Sequence, residues 1–147
     1  MKCRRIKTIC AFLSVGCILL ASIAEASDTR PAVDVIVGKF QERLRDTGDT
    51  GKIVCRKTLV CESQNINHFY MKRGYIPAWS KDGIPLADAE SLLKIIRNAH
   101  MQGLQPQDYH IGAIEAALAD LRPASQQNDA LAADRIVDLD LLMTDAF

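Results

Sequence analysis

Pro85-Leu-Ala-Asp-Ala-Glu-Ser-Leu-Leu-Lys-Ile-Ile-Arg-Asn-Ala-His-Met-Gln-Gly103 is the stretch that decides the fold class. Ala89, Leu92, Leu93, Ile96 and Ala99 recur at helical spacing, so a helix gathers them on one apolar face. Pro85 suits the first turn of such a helix, where no backbone N–H is needed. Gly103 supplies a cap at the other end. A helix from Pro85 to about Gln102 is therefore predicted.

The same period appears on both sides of it. Val33, Ile36, Val37, Phe40 and Leu44 predict a helix over 32–44, ended by the Asp46-Thr-Gly-Asp-Thr-Gly51 break. Glu62 to Arg73 reads as a helix with Ser63 as N-cap, Ile66, Phe69 and Tyr70 on one side, and Gly74 as terminator. Asp108 is placed to cap a helix through Tyr109, Ile111, Ile114 and Leu118. After a polar loop from Pro123 to Asn128, a last helix from Asp129 to Phe147 buries Leu131, Ile136, Leu139, Leu142 and Met143. Only Ile53-Val-Cys55 and Leu59-Val-Cys61, around Arg56-Lys-Thr58, look like strands, and they predict one short β-hairpin. Pro77 keeps Tyr75-Ile-Pro-Ala-Trp79 extended or turned, and Ser80-Lys-Asp-Gly83 reads as a turn. The expected fold is mainly α, a small helical domain with a short hairpin near its N-terminus.

The N-terminus reads as an export signal. Lys2, Arg4, Arg5 and Lys7 precede an apolar run from Thr8 to Ile23, and Ala24-Glu25-Ala26 offers small residues to a signal peptidase. The run sits just under the roughly 20 residues that span a bilayer, so an uncleaved anchor is the competing reading, and the small residues at 24 and 26 favour cleavage. Cleavage before Cys17 as a lipoprotein is disfavoured by Ser14. Removing residues 1–26 leaves 121 residues, enough for one domain, with 14 basic residues against 17 acidic ones. That mild negative balance argues against nucleic acid or anionic lipid as partner, and no membrane span remains after cleavage. The expected division is a signal at 1–26, an N-terminal helix and hairpin at 27–61, and a helical domain at 62–147. The last helix stops at Phe147 without a cap or polar tail, so truncation is expected, with an exposed apolar face on that helix.

Candidate chemistry is sparse. Cys55 and Cys61 form an even pair in an oxidising compartment, so a disulfide closing the hairpin is expected, stabilising by on the order of 2 kcal/mol. Zinc is a weaker alternative, since two thiolates need two more ligands, and free or reactive thiols remain a third. His68, His100 and His110 are isolated in sequence and read as structural. Asp134 and Asp138, four apart, read as a solvated helix face. Asp140 and Asp145 sit among leucines and need a partner, such as a cap or Arg73. No catalytic residues, metal ligands or cofactor motifs are assigned. The aromatic segment from Phe69 to Trp79 reads first as core packing, with Tyr75 and Trp79 as candidate ligand contacts.

Phe69-Tyr70, Arg73, Tyr75, Pro77-Ala78-Trp79, Gly103-Leu104-x-Pro106-x-Asp108-Tyr109-His110 and the terminal Asp138-Leu-Asp-Leu-Leu-Met-Thr-Asp-Ala-Phe147 together resemble the large periplasmic murein L,D-transpeptidases. They look like the scaffold domain that precedes the catalytic domain of those enzymes, over about Glu62 to Phe147. The resemblance implies a periplasmic location and a link to peptidoglycan. In the family, a cysteine nucleophile joins neighbouring stem peptides through diaminopimelate. The family's Ser-His-Gly-Cys signature is absent from this sequence, and Cys55 and Cys61 lie upstream of the matching blocks. The implied role is thus a non-catalytic scaffold. Its expected partners are peptidoglycan stem peptides or a cell-wall enzyme, with a stand-alone binding module as the alternative.

Overall fold

The computed structural model describes residues 31–45, 52–61, 63–121 and 129–147. The predicted export signal, the 46–51 break and the 123–128 loop lie outside them. The described elements are α1 (Val33–Arg45), β1 (Ile53–Cys55), β2 (Thr58–Val60), α2 (Ser63–Lys72), β3 (Ser80–Lys81), β4 (Ile84–Pro85), α3 (Ala87–Arg97), α4 (Ile111–Asp120) and α5 (Asp129–Ala146). Two single 3-10 turns, Ala99–Gln102 and Pro106–Tyr109, connect α3 to α4. The fold is mainly α, as the periodicity predicts.

α5 is the axis of the molecule. Ala133, Val137, Leu139, Asp140, Leu141, Leu142 and Met143 are all fully buried, and consecutive buried positions point in every direction around a helix. α1, α2, α4 and the β1–β2 hairpin surround it. Phe40 of α1 stacks on Tyr70 of α2 with ring centroids 4.5 Å apart. The exposed apolar face expected on the last helix is therefore not there: the other helices cover it. Leu131 is the exception among the residues expected to be buried, at 48% exposure on the outer side of the first turn.

The predicted helix over Pro85–Gln102 divides. Pro85 lies in β4 opposite Ser80, so the expected Ser80–Gly83 turn is the tip of a second hairpin, with Asp82 and Gly83 both at positive φ. α3 starts at Ala87 and ends at Arg97, where the Asn98 side chain donates to the Lys94 carbonyl at 2.9 Å. The backbone then tightens into a 3-10 turn, and Gly103 closes it at φ 78 by donating to the Ala99 and His100 carbonyls.

The β1–β2 hairpin forms as predicted, but the disulfide does not. The register pairs Ile53 with Val60 and Cys55 with Thr58, which leaves Cys61 at the far end of the ladder from Cys55. Three residue steps along a strand span about 10 Å, whereas bridged cysteines need Cα atoms within roughly 7 Å. Both thiols are free, Cys55 buried in the core and Cys61 exposed. Ser63 is also reassigned. Its Oγ accepts from the Ile53 N–H at 3.3 Å and donates to the Val60 carbonyl at 3.2 Å, tying α2 to the hairpin.

Candidate functional site

α2 ends in two successive residues with left-handed backbone, Gly74 and Tyr75, at φ 64 and 62. The Tyr75 N–H donates back to the Tyr70 carbonyl at 2.8 Å, and this reversal lays Pro77–Ser80 against α5. Asp140 receives the loop there. Its Oδ1 accepts from the amides of Ala78 and Trp79 and from the Tyr70 hydroxyl; the Trp79 and Tyr70 bonds measure 3.1 and 3.0 Å. Its Oδ2 accepts from Ser80 Oγ at 3.1 Å. Thr144, one turn along, donates to the Asp140 carbonyl at 2.8 Å and accepts from Trp79 Nε1 at 2.9 Å. Thr144 Oγ1 also meets the Tyr70 hydroxyl at 2.7 Å.

Asp140 is fully buried, and no ion pair reaches it among the described residues. Burial pushes its carboxyl up to about 6, against the pull of the Ala78 and Trp79 amides and the Tyr70 and Ser80 hydroxyls. Burial, and then the Asp140 charge, hold the Tyr70 hydroxyl well above its ordinary range. Arg73, the partner suggested by sequence, grips the loop from its carbonyl side instead. It donates to Ile76 O at 3.3 Å and Pro77 O at 3.2 Å, while its guanidinium lies over the Phe69 ring.

The two aromatic candidates, Tyr75 and Trp79, flank this clamp without stacking on each other among the described residues. Trp79 meets Phe147 edge-on, with ring centroids 5.7 Å apart. Tyr75 lines an open cleft of about 390 Å³ with Gln41, Leu44, Arg45 and Asn67. Both residues are half-buried and pack on the core, as the core-packing reading expects.

Asp145, five residues beyond Asp140, has different company. Both its carboxylate oxygens lie 3.1 Å from the Cys61 backbone N–H, and its Oδ2 lies 2.6 Å from His110 Nε2. The Cys61 thiol, a ring nitrogen of His110 and an Asp145 oxygen lie within 4.8 Å of one another. His110 occupies a left-handed position, φ 58, where the Pro106–Tyr109 turn meets α4, and that corner aims its ring at α5. Asp108, expected to cap α4, lies inside the 3-10 turn and makes no side-chain cap bond.

A model of the scaffold-domain family matches residues 64–147. The chain belongs to the scaffold-domain family. This agrees with the resemblance carried by the Tyr75–Trp79, Asp108–His110 and Asp138–Phe147 blocks. No curated protein and no solved structure matches the chain. The matched stretch contains the Asp140 clamp, His110 and Asp145; Cys61 lies just before it. α1 and the first hairpin also precede the scaffold match, yet Phe40, Leu44, Ile53, Cys55 and Val60 join the same core as α5.

The remaining charged candidates of the scaffold domain are structural. Asp138 pairs with Arg43 at 2.7 Å, and Asp134 approaches Arg43 and Lys39 at 3.5 and 3.7 Å. The acidic face read as solvated is thus an ion-pair seam against α1. Burial, reinforced by the Asp138 charge, pushes the Cys55 thiol up to about 12, so it is not a thiolate at neutral pH. His68 is exposed on α2, and His100 bonds the Arg97 carbonyl at 3.0 Å. Among the described residues no helix is long and apolar enough to cross a membrane.

Proposed function

We propose that this chain is a non-catalytic scaffold module of an L,D-transpeptidase-like protein, exported to the periplasm and linked to peptidoglycan cross-linking. The clamped loop carries the reading. Asp140 takes its amides and Arg73 its carbonyls, so the loop from Tyr75 to Trp79 is held in one shape before any ligand arrives. Tyr75 and Trp79 are the binding residues on this reading, offering ring edges to a stem peptide or to a cell-wall enzyme. The membership of residues 64–147 in the scaffold-domain family supports it.

The enclosure of α5 by the chain's own helices favours a second reading, a stand-alone periplasmic module with the same loop as its contact. Co-sedimentation with purified sacculi tests the wall contact common to both. Wild-type protein is expected to pellet with sacculi, and Trp79→Ala several-fold less, with circular dichroism confirming that the variant folds. Equal retention of the two proteins, or none of either even with a transpeptidase added, overturns the assignment of this loop. Retention only when a transpeptidase is added favours the scaffold reading over the stand-alone module. Fractionation of cells expressing the full chain tests export, and protein confined to the cytoplasm refutes it.

A further inference from the structure

We infer that Cys61, His110 and Asp145 form a binding site for a single zinc-class divalent ion. The three residues come from three separate segments: the end of the β2 strand, the corner before α4 and the last turn of α5. A thiolate, an imidazole nitrogen and a carboxylate are a donor set for zinc and its soft neighbours, and a poor one for calcium or magnesium, which take oxygen ligands.

The spacing suits such an ion. Bonds of about 2.0–2.3 Å to a tetrahedral zinc separate the ligand atoms by about 3.3–3.6 Å. Here all three candidate atoms lie within 4.8 Å of one another, with His110 Nε2 and Asp145 Oδ2 2.6 Å apart. Zinc would need the His110–Asp145 pair to open slightly, a movement of the His110 ring alone. The Cys61 amide holds the Asp145 carboxylate in place, which limits the rearrangement needed. Cys61 is exposed, which gives the ion an entry path from solvent. The hairpin register, which keeps Cys61 away from Cys55, leaves the thiol available for this role.

On binding, the thiol and, where protonated, the imidazole release their protons to solvent and no redox step is involved. The ion would clamp the hairpin end and the α4 corner to the last helix. Cobalt(II) is the direct probe, because a thiolate ligand gives a sulfur-to-cobalt charge-transfer band and tetrahedral geometry gives intense visible bands. The protein for this test is the reduced full chain with Cys3, Cys10 and Cys17 changed to alanine. One equivalent of cobalt is expected to produce both features, and zinc to displace it. Cys61→Ser should remove the charge-transfer band and weaken zinc binding at least tenfold in a chelator competition. Exposed Cys61 leaves the core intact in that variant, and Cys55→Ala, checked for folding, should keep the band. A chain that takes up no cobalt overturns the site. A band that survives Cys61→Ser, or disappears only in Cys55→Ala, does so as well.

Discussion

Asp140 and Asp145 lie five residues apart on one helix, and their surroundings make them different objects. Asp140 is fully buried and surrounded by neutral donors: two amides, a phenol and a serine hydroxyl. Three of the four belong to the chain segment that the aspartate positions, and the fourth, Tyr70, comes from α2. Asp145 accepts from the Cys61 amide and also faces an imidazole and a thiol, which can change partners. A carboxylate whose acceptor sites are filled by fixed backbone dipoles holds a fold together. One that faces titratable and metal-ligating groups retains a chemistry.

Substitutions should separate the two residues, and Asp140→Ala should have the largest effect. It strands the Ala78 and Trp79 amides, while the Tyr70 hydroxyl keeps Thr144 and the residue-140 carbonyl, so a loss of about 3–5 kcal/mol is expected in urea unfolding. A loss under about 1 kcal/mol, the scale of an ordinary hydrogen bond, would mean that the clamp does not hold the loop. Tyr70→Phe keeps the ring stacked on Phe40 but removes one donor from the same cluster. It should cost about 1–3 kcal/mol.

The pH dependence sharpens the contrast further. Folding raises the Asp140 carboxyl from its ordinary 3.8 to about 6, so the folded state holds this proton more tightly than the unfolded state does. Its contribution to stability is therefore fully present below about pH 4 and is lost as pH rises through about 6. Asp140→Asn stays neutral, with its amide able to donate to Ser80 Oγ. Wild type should accordingly lose stability relative to Asp140→Asn across that interval, seen by measuring both unfolding curves at each pH. A flat difference would show that the loop amides offset burial completely.

Asp145→Asn, in metal-free protein, should have the smallest effect, about 1 kcal/mol, because an amide oxygen can still accept from Cys61. If it destabilises as much as Asp140→Ala, the distinction between the two aspartates fails.

Much of the fold was legible because helices announce themselves locally. The apolar period over Val33–Leu44 and the glycine after Arg73 act within one or two turns, and the observed elements follow them closely. Pro85 misled because a proline suits a helix start and a short edge strand equally, and the pairing with Ser80 decided between them. Asp140 was marked as a residue in need of a partner, but its partners were not visible, since they are backbone amides that carry no sequence signature. For the candidate metal site, His110 and Asp145 stood in two separate blocks of the family resemblance, and Cys61 stood outside both. Only the adjacency of those blocks could have pointed to it.

By itself the sequence determined the class of the fold, the hairpin and the family, through periodicity, turn residues and ordered motif blocks. The tertiary structure alone decided that α5 is enclosed, that Cys55 and Cys61 stand apart, and that Cys61, His110 and Asp145 meet. The reason is physical: periodicity records which face of an element is apolar, whereas contact between distant residues depends on how those faces pack.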